Sequence, residues 1–302
     1  MIFFKKFDVR DFPRCVVVTD DHVAKLYGIT QAYLLPRGER AKTFFHAQKL
    51  CRWLTDNADK HTLMVAVGGG SVGDVAGFCA SVFKRGMPLL QVPTTLLAQV
   101  DSGIGGKTAL DVAGVKNAVG TFYEADTLID VNFLGTLSPA QMKNGMAEVL
   151  KYRMLTDEAE QAYQKGSLSE LVRVCADYKQ KVCQADPFDK GERQQLNFGH
   201  TVGHALELTC GLSHGRAVAN GIYYETLLAK KTGLCGEEYA RRWQREAKKL
   251  FPLQPLTEQA LRLILQDKKN VNGKVGFVLP CEGKFVKMLY DYEQVEKLLL
   301  ND

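Results

Sequence analysis

The stretch that most constrains the fold is Leu63-Met64-Val65-Ala66-Val67, an apolar run that passes into Gly68-Gly69-Gly70-Ser71-Val72-Gly73-Asp74 and then into a helical pattern from Val75 to Phe83. A buried strand that turns on glycines into a helix pairs in parallel with its neighbours, because the helix has to cross over and cover a sheet face. The same alternation recurs on both sides. Cys15 to Asp20 reads as a β-branched strand, His22 to Tyr27 with Gly28 as the helix after it, Gln31 to Leu35 as a second strand, and Phe44 to Asn57 as an amphipathic helix. Leu89 to Val92 and Thr127 to Asp130 supply further strands. The expectation is therefore an α/β domain built on a parallel sheet.

Gly68, Gly70 and Gly73 satisfy GxGxxG between a strand and a helix. Glycines there let backbone amides approach a pyrophosphate, and the helix amino end adds a favourable dipole. The acidic residue expected about 20 positions later in a standard dinucleotide fold is missing, since that region reads Val92-Pro93-Thr94-Thr95. A bound dinucleotide would thus be held differently. Pro36 to Lys42 forms a polar turn at a strand's carboxyl end, where open α/β sheets bind ligands. Residues 93–108 and 114–117 are rich in glycine and hydroxyl groups and carry Lys107 and Lys116, a composition that suits loops wrapped around a phosphorylated ligand.

From Leu137-Ser138-Pro139 onward the pattern turns helical, with Ser138 as N-cap and Pro139 in the first turn. Helices are expected over Ala159 to Tyr163, Leu168 to Ala185, Gly199 to Cys210, Ala217 to Lys231, Glu237 to Leu250 and Thr257 to Leu265, with one short strand, Gly276 to Leu279. A chain of 302 residues accommodates two cores. We expect an α/β domain over residues 1–152 and a mostly helical one over 153–302.

The helical half holds His200, His204 and His214. His200 and His204, four apart, share a helix face, and His214 follows a break at Gly211. Imidazoles gathered in this way suit zinc, which takes three protein ligands in a catalytic site and leaves one position open. An isolated HxxxH is more often the buried face of an ordinary helix. Glu148 and Lys151, three apart amid apolar neighbours, are either an ion pair or a further ligand beside its partner.

Other classes are excluded by composition. Lysines and arginines are scattered and the net charge is only +5, which argues against nucleic acid as a partner. No apolar run is long enough to span a membrane, and the start is too short for a signal peptide core. Eight cysteines without a CxxC pair suit a reducing cytoplasm.

Taken together, GGGSVGDVAGF, VPTTLLAQVDSGIGGKTA, KNAVGTFY, AEVLKY, LNFGHTVGHALE and HG closely resemble the 3-dehydroquinate synthase family of sugar-phosphate cyclases over roughly Cys15 to Leu279. The resemblance implies an NAD-binding α/β domain and a helical metal-binding domain. It implies a lyase of the shikimate route to aromatic amino acids and chorismate, acting on 3-deoxy-D-arabino-heptulosonate 7-phosphate. In that reaction NAD is transiently reduced, phosphate is eliminated and an aldol step closes the ring. Metal ligands fall on Glu148, His200 and His214, with zinc as the ion and cobalt as its alternative, and His204 is reassigned to substrate. NAD contacts fall on Asp20, Arg37, Gly38, Glu39, Lys42, Gly69, Gly70, Ser71, Val72, Gly73, Asp74, Thr94, Thr95, Lys107, Lys116, Phe133, Leu134, Gly135 and Thr136. Substrate contacts fall on Asp101, Lys107, Asn117, Lys151, Lys179, Arg193, Asn197, His204 and one of Lys268 and Lys269, with Arg85 reaching the phosphate across a homodimer interface.

The sequence departs from the family in three places. It begins about fourteen residues before the first strand, where members have another strand pair, so a bare sheet edge is expected. Arg216 replaces a glutamate, a cation that would disfavour a nearby divalent ion unless it is paired or points away. Arg37 stands in place of an aspartate. The alternatives are another sugar-phosphate cyclase, a metal-dependent polyol dehydrogenase and a non-catalytic paralogue.

Overall fold

Alternate residues of the apolar runs are sorted to opposite faces of one sheet, and both faces are covered. The structure, a computed structural model, describes residues 1–265, 273–281 and 283–300. It divides into two compact units, Met1–Met142 with Val172–Phe188 and Lys143–Leu171 with residues 189–302. The second segment of the first unit belongs to the helix Leu168–Ala185, so the division follows packing and not a single cut in the sequence.

In the first unit the elements run β1 (Ile2–Phe4), β2 (Cys15–Asp20), α1 (Asp21–Tyr27), β3 (Tyr33–Leu35), α2 (Phe44–Asn57), β4 (Leu63–Gly68), α3 (Gly70–Val82), β5 (Leu89–Pro93), β6 (Lys107–Val112), β7 (Val115–Phe122) and β8 (Asp126–Ile129). Six of the strands form a parallel sheet in the order β1-β8-β5-β4-β2-β3. Val16, Val18, Met64, Ala66 and Leu89 enter one core with Leu50 and Leu54 of α2 and Val75 and Cys79 of α3. Val17, Val65, Val67, Leu90 and Val92 enter the other with Val23, Leu128 and Phe133. This two-step alternation with apolar residues on both faces is why these strands read as continuous hydrophobic runs. After β2 the chain moves outward to β3, then returns to the far side of β2 for β4. The glycine turn after β4 therefore lies at the topological switch point, where such sheets bind ligands.

Three expectations are corrected here. Ile2–Phe4 pairs with Thr127–Ile129, so strand pairing begins well before Cys15 and the outer side of β8 is covered, with β1 and β3 as the sheet's edges. Of the stretches read as ligand-wrapping loops, Lys107, Thr108 and residues 115–117 belong instead to an antiparallel hairpin of β6 and β7. Gly120 packs so tightly that a Cβ would lie 1.9 Å from the Thr108 carbonyl oxygen, so this glycine serves strand approach and its composition mimics a loop. Finally, among the described residues the second half carries two strands, where one was expected.

The second unit contains α4 (Pro139–Leu155), from Lys143 onward, α5 (Asp157–Gln164), the start of α6 (Leu168–Ala185), α7 (His200–Cys210), α8 (His214–Lys231), α9 (Glu237–Leu250), α10 (Glu258–Leu265), β9 (Lys274–Cys281), β10 (Lys284–Asp291) and α11 (Tyr292–Leu300). Strands β9 and β10 are an antiparallel pair. The first buries Val275, Phe277 and Leu279 among α7, α8 and α10, whereas β10 is half-exposed and interrupted by Lys287, which hid it from a search for apolar runs. The Gln141 amide donates to Ser138 Oγ at 3.3 Å, as the capping signal implied. No described helix is long and apolar enough to cross a membrane.

Candidate active site

Three separate helices of the second unit bring Glu148, His200 and His214 together. Helix α4 supplies Glu148, α7 begins at His200, and α8 begins at His214. Close backbone approach sets the spacing. A Cβ at Gly215 would lie 2.1 Å from the Asn144 carbonyl oxygen, and the Gly215 amide donates to Asn144 Oδ1 at 2.8 Å, which seats the start of α8 on α4. A Cβ at Gly221 would lie 1.8 Å from the Gly199 carbonyl oxygen, so α8 also presses against the start of α7.

Glu148 Oε1 lies 2.9 Å from His214 Nε2 and 3.4 Å from His200 Nε2, and one donor atom from each residue falls within 4.8 Å of the others. Burial works against the Glu148 charge, but Lys151 and the two imidazoles hold its carboxyl well below the usual range. Burial lowers the pKa of His200. His214 is half-buried, and Glu148 and Glu207 override the desolvation penalty and push its pKa up to about 10. The donor set, one ionised carboxylate and two imidazoles, fits a divalent cation with an open position. Glu207 Oε2 sits 3.7 Å from His214 Nδ1, where an outer carboxylate orients a ligating imidazole.

Other expected residues surround this cluster. Lys151 is 1 % exposed and places Nζ 2.6 Å from Glu148 Oε2, with a hydrogen bond of 2.9 Å to the Leu196 carbonyl. Arg193 is 2 % exposed, Asn197 ends the short turn leading to α7, and His204 is exposed with its ring 5.4 Å from that of His200. His204 is outside the donor set, so the reading of three clustered histidines gives way to two histidines and a glutamate. Arg216 lies two residues past His214, about 200° around the helix. Its Nη2 donates to Gln254 Oε1 at 3.3 Å, which turns the cation away. Sequence reasoning missed Glu207 and Glu225. The fully buried Glu225 accepts from the Gly199 amide at 2.6 Å and the Val202 amide at 3.0 Å, capping α7 just before His200. The signal was a glutamate inside the apolar run from Ile222 to Leu228, the same signal that singled out Glu148.

In the first unit the glycine turn leads directly into α3, and no side chain caps Gly69. The amino end of a thirteen-residue helix therefore points beyond β4, beside Thr94 and Thr95, and suits an anionic group. A Cβ at Gly73 would meet Gln91 Oε1 at 2.8 Å, so this glycine seats the helix on β5. Lys42 Nζ lies 2.8 Å from Asp74 and donates to Asn117 Oδ1; Ser71 Oγ donates to Glu39 at 2.8 Å, and Lys116 Nζ is 3.9 Å from Glu39. These expected cofactor and substrate contacts thus form one network. Val72 is buried, whereas Arg37 and Gly38 are exposed. Asp20 caps α1 through the Val23 amide at 2.9 Å. Phe133 and Leu134 are buried in a short turn that continues through Gly135 to Thr136, whose hydroxyl donates to the Phe133 carbonyl at 3.0 Å.

Burial pushes the Asp74 carboxyl up to about 6, while Lys42 works in the opposite direction. A carboxyl whose folded pKa lies above its unfolded value holds its proton more tightly in the folded state. Unfolding free energy should therefore fall as pH rises from about 4 to about 6 and then level, by at most about 3 kcal/mol from this group. Denaturant titrations across that window should show a flatter profile for Asp74→Asn; an unchanged slope would remove Asp74 as the source.

Asp101 and Lys179, both expected to contact substrate, are also paired. Lys179 Nζ is 2.8 Å from Asp101 Oδ1 and 2.5 Å from the Asp101 carbonyl oxygen. Lys107 is exposed on β6 near Phe122, and Arg85 is exposed after α3 with a left-handed φ of 66°. Lys268 and Lys269 lie outside the described residues.

A solved structure of 2-deoxy-scyllo-inosose synthase, complexed with carbaglucose-6-phosphate, NAD+ and Co2+, matches with a TM-score of 0.84 and 25 % identity, over 99 % of this chain and 95 % of that one. The fold is that of the sugar-phosphate cyclases. The family profile described as 3-dehydroquinate synthase N-terminal matches residues 32–144, and the one described as 3-dehydroquinate synthase C-terminal matches residues 145–270. The 3-dehydroquinate synthase of Alkaliphilus metalliredigens (strain QYMF) is 34 % identical, over 95 % of this chain and 89 % of that protein. That of Dictyoglomus thermophilum is 37 % identical, over 86 % and 79 %. The chain belongs to the 3-dehydroquinate synthase family.

Proposed function

We propose that this chain converts 3-deoxy-D-arabino-heptulosonate 7-phosphate to 3-dehydroquinate and phosphate, as a carbon–oxygen lyase that depends on NAD and a divalent cation. The observation that carries this reading is the cluster of Glu148, His200 and His214, with Lys151 beside it, in a chain whose relatives are named for this reaction. When bound, NAD supplies a hydride acceptor that later returns the hydride, and zinc or cobalt supplies a Lewis acid for vicinal hydroxyls. Glu148, His200 and His214 would hold the cation. The glycine turn, Thr94, Thr95 and the network of Lys42, Asp74, Glu39, Ser71 and Lys116 would hold NAD.

The substrate carries a carboxylate and a phosphate, and buried cations are suited to both. Arg193 offers a planar fork, Lys151 and Lys179 offer point charges, and each is already desolvated. Asp101 holds Lys179, so Lys179 is oriented before substrate arrives. Asn197, His204, Lys107, Asn117 and one of Lys268 and Lys269 would supply the remaining contacts. A homodimer with Arg85 at its interface is the assembly we favour. Exposed Val115 and Phe122 on the hairpin supply apolar surface for a second copy. Eight free cysteines suit a cytoplasmic setting.

Incubation of the purified protein with heptulosonate phosphate, NAD and zinc should release phosphate and yield the enone absorbance once dehydroquinase is added. Chelation and His214→Ala should each abolish both signals, and zinc should restore activity only after chelation. Bound zinc and NAD without phosphate release would overturn the reading.

A further inference from the structure

Helix α9 carries Arg241, Gln244, Arg245 and Lys248 at spacings of three and four, so their side chains share one face. With Lys249 and Tyr223 of α8 they line a groove of about 380 Å³. That volume suits a small ligand or a head group. The lining is almost entirely donors, and its charges are unevenly compensated. Arg241 pairs with Glu237 at 2.7 Å and Lys249 with Glu246 at 2.5 Å. Among the described residues neither Arg245 nor Lys248 has an ion-pair partner, and Lys248 Nζ sits 4.8 Å from the centre of the Tyr223 ring. Gln244 Nε2 is buried and has no hydrogen-bond partner. A buried donor without an acceptor is costly, and its retention beside two solvent-exposed cations that lack ion-pair partners favours an acceptor supplied from outside.

We propose that this groove binds a compact polyanion, a small metabolite presenting phosphoryl or carboxylate oxygens. Arg245 would grip two oxygens with its fork, Lys248 would supply a point charge, and Gln244, once its amide turns into the groove it lines, would donate Nε2 to a further oxygen. None of the residues that line the groove is among those assigned to the reaction, so the groove would be a second ligand site.

Titration calorimetry on the full chain with pyrophosphate and with citrate tests this. One of the two should bind, and the one that does identifies phosphoryl or carboxylate as the head group. The Arg245→Ala/Lys248→Ala variant should weaken that event at least about tenfold, since each charge-assisted hydrogen bond contributes about 1.5–3 kcal/mol, with turnover unchanged. Gln244→Leu should weaken binding while leaving the unfolding midpoint equal or higher, because it removes the orphaned donor. A purely structural glutamine would give the opposite pattern. The inference falls if neither probe binds, or if the double variant binds as the wild type does.

Discussion

Replacing Glu148 by glutamine is expected to leave a folded protein that retains no stoichiometric zinc and releases no phosphate. The carboxylate is the only anion among the three donors, and it lies within 3.4 Å of both imidazoles. A unit charge 4 Å away in a medium of effective dielectric 20 is worth about 4 kcal/mol, or nearly 10³ in affinity, and a ligand in contact with a divalent ion loses more. Stability falls as well. Lys151, 1 % exposed, would lose its ion pair and keep the Leu196 carbonyl as an acceptor, and breaking a buried pair from one side costs about 3–5 kcal/mol. Lys151→Met separates the two effects. It removes the cation that competes for the carboxylate, so zinc should bind at least as well while turnover is lost. Metal analysis by mass spectrometry, with thermal unfolding, reads both variants; stoichiometric zinc in Glu148→Gln would place the centre on other residues.

Legibility in the sequence followed burial. Strands β2, β4 and β5 were readable because both of their faces are packed, so each appears as an unbroken apolar run. Strands β7 and β10 were not, since each leaves much of its length exposed, with Lys116 in β7 and Lys284 and Lys287 in β10. Ile2–Phe4 is only three residues long, too short for a periodic signal, and is identified as a strand by its parallel partner. The site divides in the same way. The four-residue spacing of the helical histidines was visible, but spacing alone favoured His204, and the third donor comes from a helix fifty residues upstream. Its apolar neighbours marked Glu148 as an ion-pair partner or a ligand, and only the family resemblance chose between the two. The residues around the donors, Glu207 and Glu225, emerge only when α7 and α8 are docked, because their partners are a ring nitrogen and backbone amides rather than sequence neighbours.

That docking makes Glu225 the next residue to change, and Glu225→Gln is expected to cost about 3–5 kcal/mol although it keeps shape and volume. Each carboxylate oxygen accepts one backbone amide at the start of α7, from Gly199 and Val202. An amide side chain can satisfy only one of them and must turn its own N–H donors toward the other. The loss combines a charge-assisted hydrogen bond, about 1.5–3 kcal/mol, with the favourable placement of an anion at a helix amino end, up to about 2 kcal/mol. Because His200 is the first residue of α7, the freed turn would also carry this proposed metal donor out of register. Disturbing a ligand's support typically weakens metal binding 10–100-fold, so zinc affinity should fall by about that factor while Glu148 and His214 stay in place. Hydrogen exchange resolved over residues 199–203 should show faster exchange there than in α8. If zinc affinity and the unfolding midpoint both match the wild type, Glu225 is a bystander, and the start of α7 is held by its packing against Gly221 alone.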